Sequence, residues 1–152
     1  MKERHRSTRR FHAIVLGSRA WREKDRIVHL LAERYGRLDA VAYGARGESG
    51  RWAGRLDPFT PLDLLLYRRG AGGLWTVREA TPRAPGPPDV SGDWRRSLVL
   101  QSAAELLVHA SPGEETAPEA FELARALPRE LSAGPQPITV LLAFFFAWAD
   151  RA

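Results

Sequence analysis

Residues 62–80, LDLLLYRRGAGGLWTVREA, carry the signal that decides the fold. Leu62-Asp63-Leu64-Leu65-Leu66-Tyr67 is a short apolar run of strand length, and Pro61 fits the mouth of a strand better than its centre. Arg68-Arg69-Gly70-Ala71-Gly72-Gly73 is a glycine-rich turn, and Leu74-Trp75-Thr76-Val77-Arg78-Glu79-Ala80 alternates as a second strand should. Two such runs joined by a glycine turn read as a hairpin.

Working outward, more strands of the same kind precede this pair. Phe11-His12-Ala13-Ile14-Val15-Leu16 is β-rich and stops at Gly17-Ser18. Asp25 to Ala32 follows as a second strand, although its mixed periodicity leaves a helix open on pattern alone. Glu33 to Arg37 is a turn in which Gly36 is free to take positive φ. Leu38, Ala40 and Ala42 then alternate with Asp39, Val41 and Tyr43 in a third strand ending at Gly44. In the connection GARGESGRWAGR, residues 44–55, Trp52 with Leu56 can anchor a short helical turn under the sheet. Trp52, Phe59 and Trp75 are assigned to the barrel core. Five short strands with turn glycines and no long helix between them predict a small closed barrel, and the OB fold is the common five-stranded case.

Past the strands the period changes. TPRAPGPP, residues 81–88, holds four prolines in eight residues and can continue neither sheet nor helix. A helix capped by Ser91 or Asp93 runs to about Ala110, with Leu98, Ala103, Leu106 and Leu107 near one face, and Pro112-Gly113 ends it. A second, capped by Thr116, presents Phe121, Leu123, Leu127 and Leu131 and has Pro128 near its end. After a linker at 132–137, a third spans Ile138 to about Ala149 and is apolar on nearly every side. Such a helix sits centrally in a larger core, or an oligomer or partner covers it. The chain is therefore expected to be mainly β then α. A flexible basic arm (1–10) leads to a five-stranded OB-fold barrel (11–81). A proline-rich linker (82–90) and a small helical region (91–152) follow.

Charge follows the same division. The chain has 23 Lys and Arg, of which only Lys2 and Lys24 are lysines. Residues 1–83 hold 18 of these against 9 acids, and residues 84–152 hold 5 against 9. A basic front half and an acidic back half suggest that the barrel meets a polyanion. Arginine forks onto phosphate oxygens, and aromatic faces stack on bases. The candidate DNA-binding cations are Arg22, Lys24, Arg34, Arg37, Arg46, Arg51, Arg55, Arg68 and Arg69, with Arg19 beside the same turns. Tyr35 and Tyr43 are the candidate stacking platforms. For Arg68 and Arg69 the competing reading is a solvated hairpin end.

Other chemistry finds little support. His5, His12, His29 and His109 lack metal-ligand spacing, and no phosphate-binding glycine loop or nucleophile motif occurs. No enzyme activity, cofactor or metal is expected. There is no cysteine, so disulfides and thiolate zinc sites are excluded, which fits a reducing compartment. No apolar stretch of signal-peptide kind follows the basic N-terminus, and the longest apolar run, Ile138 to Trp148, is about half a membrane span. The expected location is cytoplasmic, away from membranes.

Several blocks, in order, resemble the recombination mediator family RecO. Ala13-Ile14-Val15-Leu16 followed by Glu23-Lys24-Asp25-Arg26-Ile27-Val28 is similar to the family's apolar strand and its E-x-D-R-I-V segment. Tyr35-Gly36-Arg37-Leu38 with Val41-Ala42-Tyr43-Gly44-Ala45-Arg46 is similar to Y-G-K-L and A-K-G-A-R. Leu56-Asp57-Pro58-Phe59-Thr60-Pro61-Leu62 resembles the L-Q-P-F-T block, and Leu74 to Ala80 the strand after it. The resemblance implies an N-terminal OB domain and a helical domain that often carries a four-cysteine zinc site. It implies binding of single- and double-stranded DNA, strand annealing, and exchange of single-strand-binding protein for the recombinase RecA. RecR and single-strand-binding protein are the implied partners, and the bacterial nucleoid the implied location. This chain lacks the cysteines and is expected to stop before the family's later helices. The alternatives are an adaptor that binds RecR or the tail of single-strand-binding protein, and an RNA-binding OB domain.

Overall fold

A computed structural model describes residues 6–47, 50–83, 89–90, 92–111, 113, 115, 117–134 and 136–151. Among them five strands occur: β1 (Arg6–Trp21), β2 (Asp25–Ala32), β3 (Gly36–Ala42), β4 (Pro61–Arg69) and β5 (Trp75–Pro82). They close into a barrel in the order β1-β2-β3-β5-β4, with β4 returning to β1. Neighbours are antiparallel except β3 and β5, which run parallel. This is the five-stranded OB arrangement expected from the turn glycines.

Closure depends on the length of β1. Its first half pairs with β4, from Arg6 opposite Arg69 to Ile14 opposite Pro61. Its second half pairs with β2, from Ala13 opposite Ala32 to Trp21 opposite Asp25. A bulge between Val15 and Gly17 bends the strand from one partner to the other. Two expectations are corrected here. Residues 6–10, assigned to a flexible arm, are the start of β1, and the strand runs on past Gly17 to Trp21. The ladder to β4 is made by main-chain groups, so Thr8, Arg9 and Arg10 join it with side chains exposed. No apolar pattern marks such a segment. Residues 1–5 of that arm lie outside the described residues.

Period-two alternation fills the interior with Val15, Leu30, Leu38, Leu64, Leu66 and Trp75, among others. Trp52, on a 3-10 turn at Gly50–Trp52, is buried against them, and its indole N–H donates to the Tyr43 carbonyl just past β3. Phe59 is buried outside the barrel rather than in its core. Its backbone takes φ +63°, its N–H donates to the Val15 carbonyl, and its ring joins the helices.

Those helices are α1 (Trp94–Ala110), α2 (Pro118–Ala133) and α3 (Pro137–Ala149). The Asp93 carboxylate caps α1 by accepting from the Arg95 and Arg96 N–H groups. Arg96 also donates to the Leu131 carbonyl and so ties α1 to α2. Ser91 and Thr116, the other expected caps, and Pro112, expected to end α1, lie outside the described residues. Pro128 lies inside α2, which continues to Ala133 across the start of the expected linker. Val99, Ala103, Ala104, Leu107, Phe121, Leu127 and Leu131 bury against Ile14, Leu16 and Leu31 on the outer wall of β1 and β2. Leu98, expected on the buried face of α1, is exposed. α3 buries Val140 and Phe144, while Ile138, Leu142 and Phe146 are 60%, 50% and 73% exposed, so the helix lies on the surface of this core. No helix is long and apolar enough to cross a membrane among the described residues.

Candidate nucleic-acid interface

The tight β1–β2 turn brings the first cations together. Arg22 turns the chain at φ +53°, a left-handed value uncommon outside glycine. The 44–47 segment docks on this turn. The Arg46 N–H donates to the Lys24 carbonyl, Arg46 Nη1 donates to the Arg22 carbonyl at 2.8 Å, and the Gly44 N–H donates to Asp25 Oδ1 at 2.9 Å. Arg19 and Arg22 lie 5.6 and 5.9 Å from the Trp21 ring centroid. Among the described residues, Arg19, Arg22, Lys24 and Arg46 form no ion pair. All four are exposed, and Tyr43 beside them is 50% exposed. The turn also carries the acids Glu23 and Asp25, but like charges gathered at one turn still repel one another, and a bound polyanion relieves that repulsion.

Trp52 links this cluster to a second group. Arg51 lies 4.7 Å over the Trp52 ring and donates to the Arg78 carbonyl, and Arg78 lies 4.8 Å over Tyr67 on the neighbouring strand. The Arg55 N–H donates to the Trp52 carbonyl. Arg22, Lys24, Arg46, Arg51 and Arg55 are thus carried on segments bonded to one another at one end of the barrel.

The remaining candidates are elsewhere. Arg68 lies 4.3 Å over the Trp75 ring, and its Nη2 donates to the Tyr35 hydroxyl at 3.2 Å. Tyr35 packs edge-on against Phe11 and Trp75, with Arg9 6.0 Å from its ring. This aromatic cluster fills the barrel mouth at the β2–β3 turn. Arg68 and Tyr35 are engaged in holding it, and Arg34 and Arg69 are exposed nearby on the β2–β3 turn and at the end of β4. Arg37 lies on the outer wall, where the Gly113 backbone bridges to it. Its Nη2 is 3.3 Å from Asp39 Oδ2, and Asp39 Oδ1 is 2.7 Å from His29 Nδ1. Burial alone would raise the Asp39 carboxyl, but the His29 hydrogen bond and the Arg37, His29 and Arg19 charges together hold it below the usual carboxylate range.

Arg26 and Arg78 are cations outside the candidate set, while Arg9, read as part of a basic arm that grips DNA or is disordered, lies on β1. Arg78 sits beside the β4–β5 register shift between Leu65 and Leu66, which breaks simple alternation. No cluster of three His, Asp or Glu side chains fit to hold a metal occurs among the described residues.

The sequence profile described as Recombination protein O N terminal matches residues 6–85, from the first residue of β1 past the last of β5. The chain belongs to this family. Relatives of the recombination protein O family include a DNA repair protein RecO of Cutibacterium acnes, 33% identical over 144 residues, or 89% of this chain and 56% of the relative. One from Myxococcus xanthus is 34% identical over 138 residues, 87% of this chain and 53% of that protein. One from Vibrio cholerae is 42% identical over 74 residues, 49% of this chain and 30% of the relative. The chain spans about half the length of the first two. The recombination protein O profile thus covers the β1–β2 turn, the 43–55 connection and the aromatic mouth together.

Proposed function

We propose that this chain is a DNA-binding module of recombination and repair that works without catalysis, gripping single- and double-stranded DNA with the basic end of its barrel. The observation that carries this reading is the cluster of Arg19, Arg22, Lys24 and Arg46, exposed and without ion pairs among the described residues, with Arg19 and Arg22 against Trp21 and an exposed Tyr43 on the strand end that docks on the same turn. Guanidinium groups held at fixed spacing suit a phosphate backbone, and the aromatic faces suit bases of any sequence. Membership of the recombination protein O family supports the same reading. Strand annealing and exchange of single-strand-binding protein for the recombinase are the activities proposed to follow. RecR and single-strand-binding protein are the proposed partners, in the cytoplasm at the nucleoid.

Titration of a labelled oligothymidine at several salt concentrations tests it. Affinity should fall steeply with salt as condensed counterions are displaced. Absence of binding at low salt would end the proposal. Competition between matched DNA and RNA oligomers separates the RNA-binding alternative, since that choice rests on 2′-hydroxyl contacts. The adaptor reading has its own observation in the exposed Ile138, Leu142 and Phe146. Capture of RecR that survives Arg46→Glu and Arg51→Glu would favour it.

A further inference from the structure

A groove of about 940 Å³ runs between the outer wall of β1 and β2 and helix α1, at the upper end of the roughly 300–1,000 Å³ usual for ligand clefts. Its floor is apolar, with Leu16, Leu56 and Val108. Above that floor, polar groups converge from both walls. On the barrel side Arg26 is oriented by Ser18, with Nε to the hydroxyl at 2.8 Å and Nη2 to the carbonyl at 3.3 Å, which leaves Nη1 without a protein partner among the described residues. His29 is oriented by Asp39 through Nδ1, which leaves Nε2 without a protein partner among the described residues. The charged Asp39 carboxylate fixes that arrangement. On the helix side Gln101 and Glu105 are exposed, and both line the same groove.

We infer that this groove is a base-binding subsite for single-stranded nucleic acid, entered from the basic end of the barrel. The inference deepens the DNA-binding reading and rests on it. Two observations commit the groove to that occupant. Arg19 and Trp52 line it and also belong to the basic end, since Arg19 lies against Trp21 and Arg51 lies over Trp52. A backbone held at Arg22, Lys24 and Arg46 therefore passes the groove mouth. Within it, fixed donors (Arg26) and groups able to donate or accept (His29, Gln101) stand over apolar surface. Splayed bases present their edges for hydrogen bonding and their faces for packing, and this combination suits both.

The chain has no cysteine, so a single introduced thiol is unique. Gln101→Cys places it in the groove, and Ala143→Cys places a control on an exposed position of α3. The rate of thiol alkylation is measured with and without a 20-residue oligothymidine, with direct binding followed in parallel by fluorescence anisotropy. With DNA at ten times its Kd, mass action lowers the rate at the groove thiol about 10-fold and leaves the control unchanged. DNA binding without protection of the groove thiol overturns the subsite and leaves the DNA-binding reading intact. No DNA binding overturns both. Protection by an acidic, aromatic peptide in place of DNA overturns the subsite in favour of a protein ligand.

Discussion

Removing the three cations that meet at the β1–β2 turn should flatten the salt dependence of DNA binding by a calculable amount. The variant is Arg22→Gly, Lys24→Ala, Arg46→Ala. Glycine is used at 22 because the backbone there has φ +53°, where alanine would be strained. The 44–47 segment stays in place, since the Arg46 N–H still meets the Lys24 carbonyl and the Gly44 N–H still meets Asp25. All three side chains are exposed, so stability should change by no more than about 0.5 kcal/mol for each substitution. Each phosphate contact on a single strand contributes about 0.7 to the slope of log K against log salt, so three contribute about 2. Between 50 and 200 mM salt, the ratio of variant to parent Kd should therefore shrink by about 20-fold. Anisotropy titrations of a labelled oligothymidine at four salt concentrations measure the slope, and thermal unfolding checks the fold. A variant as stable as the parent with an unchanged slope would refute the assignment of phosphate contacts to this end of the barrel.

Three further outcomes concern the fold. Gly36→Ala should destabilise the chain by at least about 2 kcal/mol in urea unfolding, because Gly36 has φ +83° and an added Cβ would strike the Glu115 backbone carbonyl. A neutral result would mean that the Glu115 backbone does not pack on the β2–β3 turn. Phe121→Ala should cost about 3–5 kcal/mol in the same assay, since the ring is fully buried against His12 and the helical core. A loss under 1 kcal/mol, on the order of a surface substitution, would show that the helices are not docked on β1. Asp39→Asn should weaken stability at pH 7, and the gap should close as pH falls. The carboxyl is held below its ordinary value, so its contribution is present above about pH 3.9 and is lost as pH drops through the lower folded value. A gap constant from pH 7 to pH 2 would rule out the His29 and Arg37 network as its source.

The strand order was not written in the residues, but most of the strands were. Val28, Leu30 and Ala32 alternate inward, and β2 occupies the expected span, Asp25–Ala32. The helix alternative failed because that alternation matched a barrel interior, which neighbouring strands complete. Position 36 was legible as a turn because glycine alone takes φ +83° there without strain. Residues 6–10 were not legible, because a ladder built from backbone groups leaves no side-chain pattern. Phe59 was misplaced for a related reason. Its burial was readable from its type, but its positive φ and its backbone hydrogen bond to Val15 at the bulge in β1, which accompany its turn out of the barrel, involve a distant strand.

The candidate site divides in the same way. Charge excess in residues 1–83 is a property of composition and needs no coordinates. Which arginines meet is decided by chain reversal. The turns that bring Arg46 onto the Arg22 carbonyl also send Arg68 to the aromatic mouth and Arg37 to the wall beneath Gly113.

By itself the sequence determined the β-then-α order, the turns at Gly36 and at residues 70–73, the burial of most apolar residues and the sign of the surface charge. Each of these follows from local propensity or composition. Tertiary structure alone decided the double pairing of β1, the groove under α1 and the division of the arginines between structural and exposed roles. These depend on contacts between residues distant in the chain, and no local pattern encodes them.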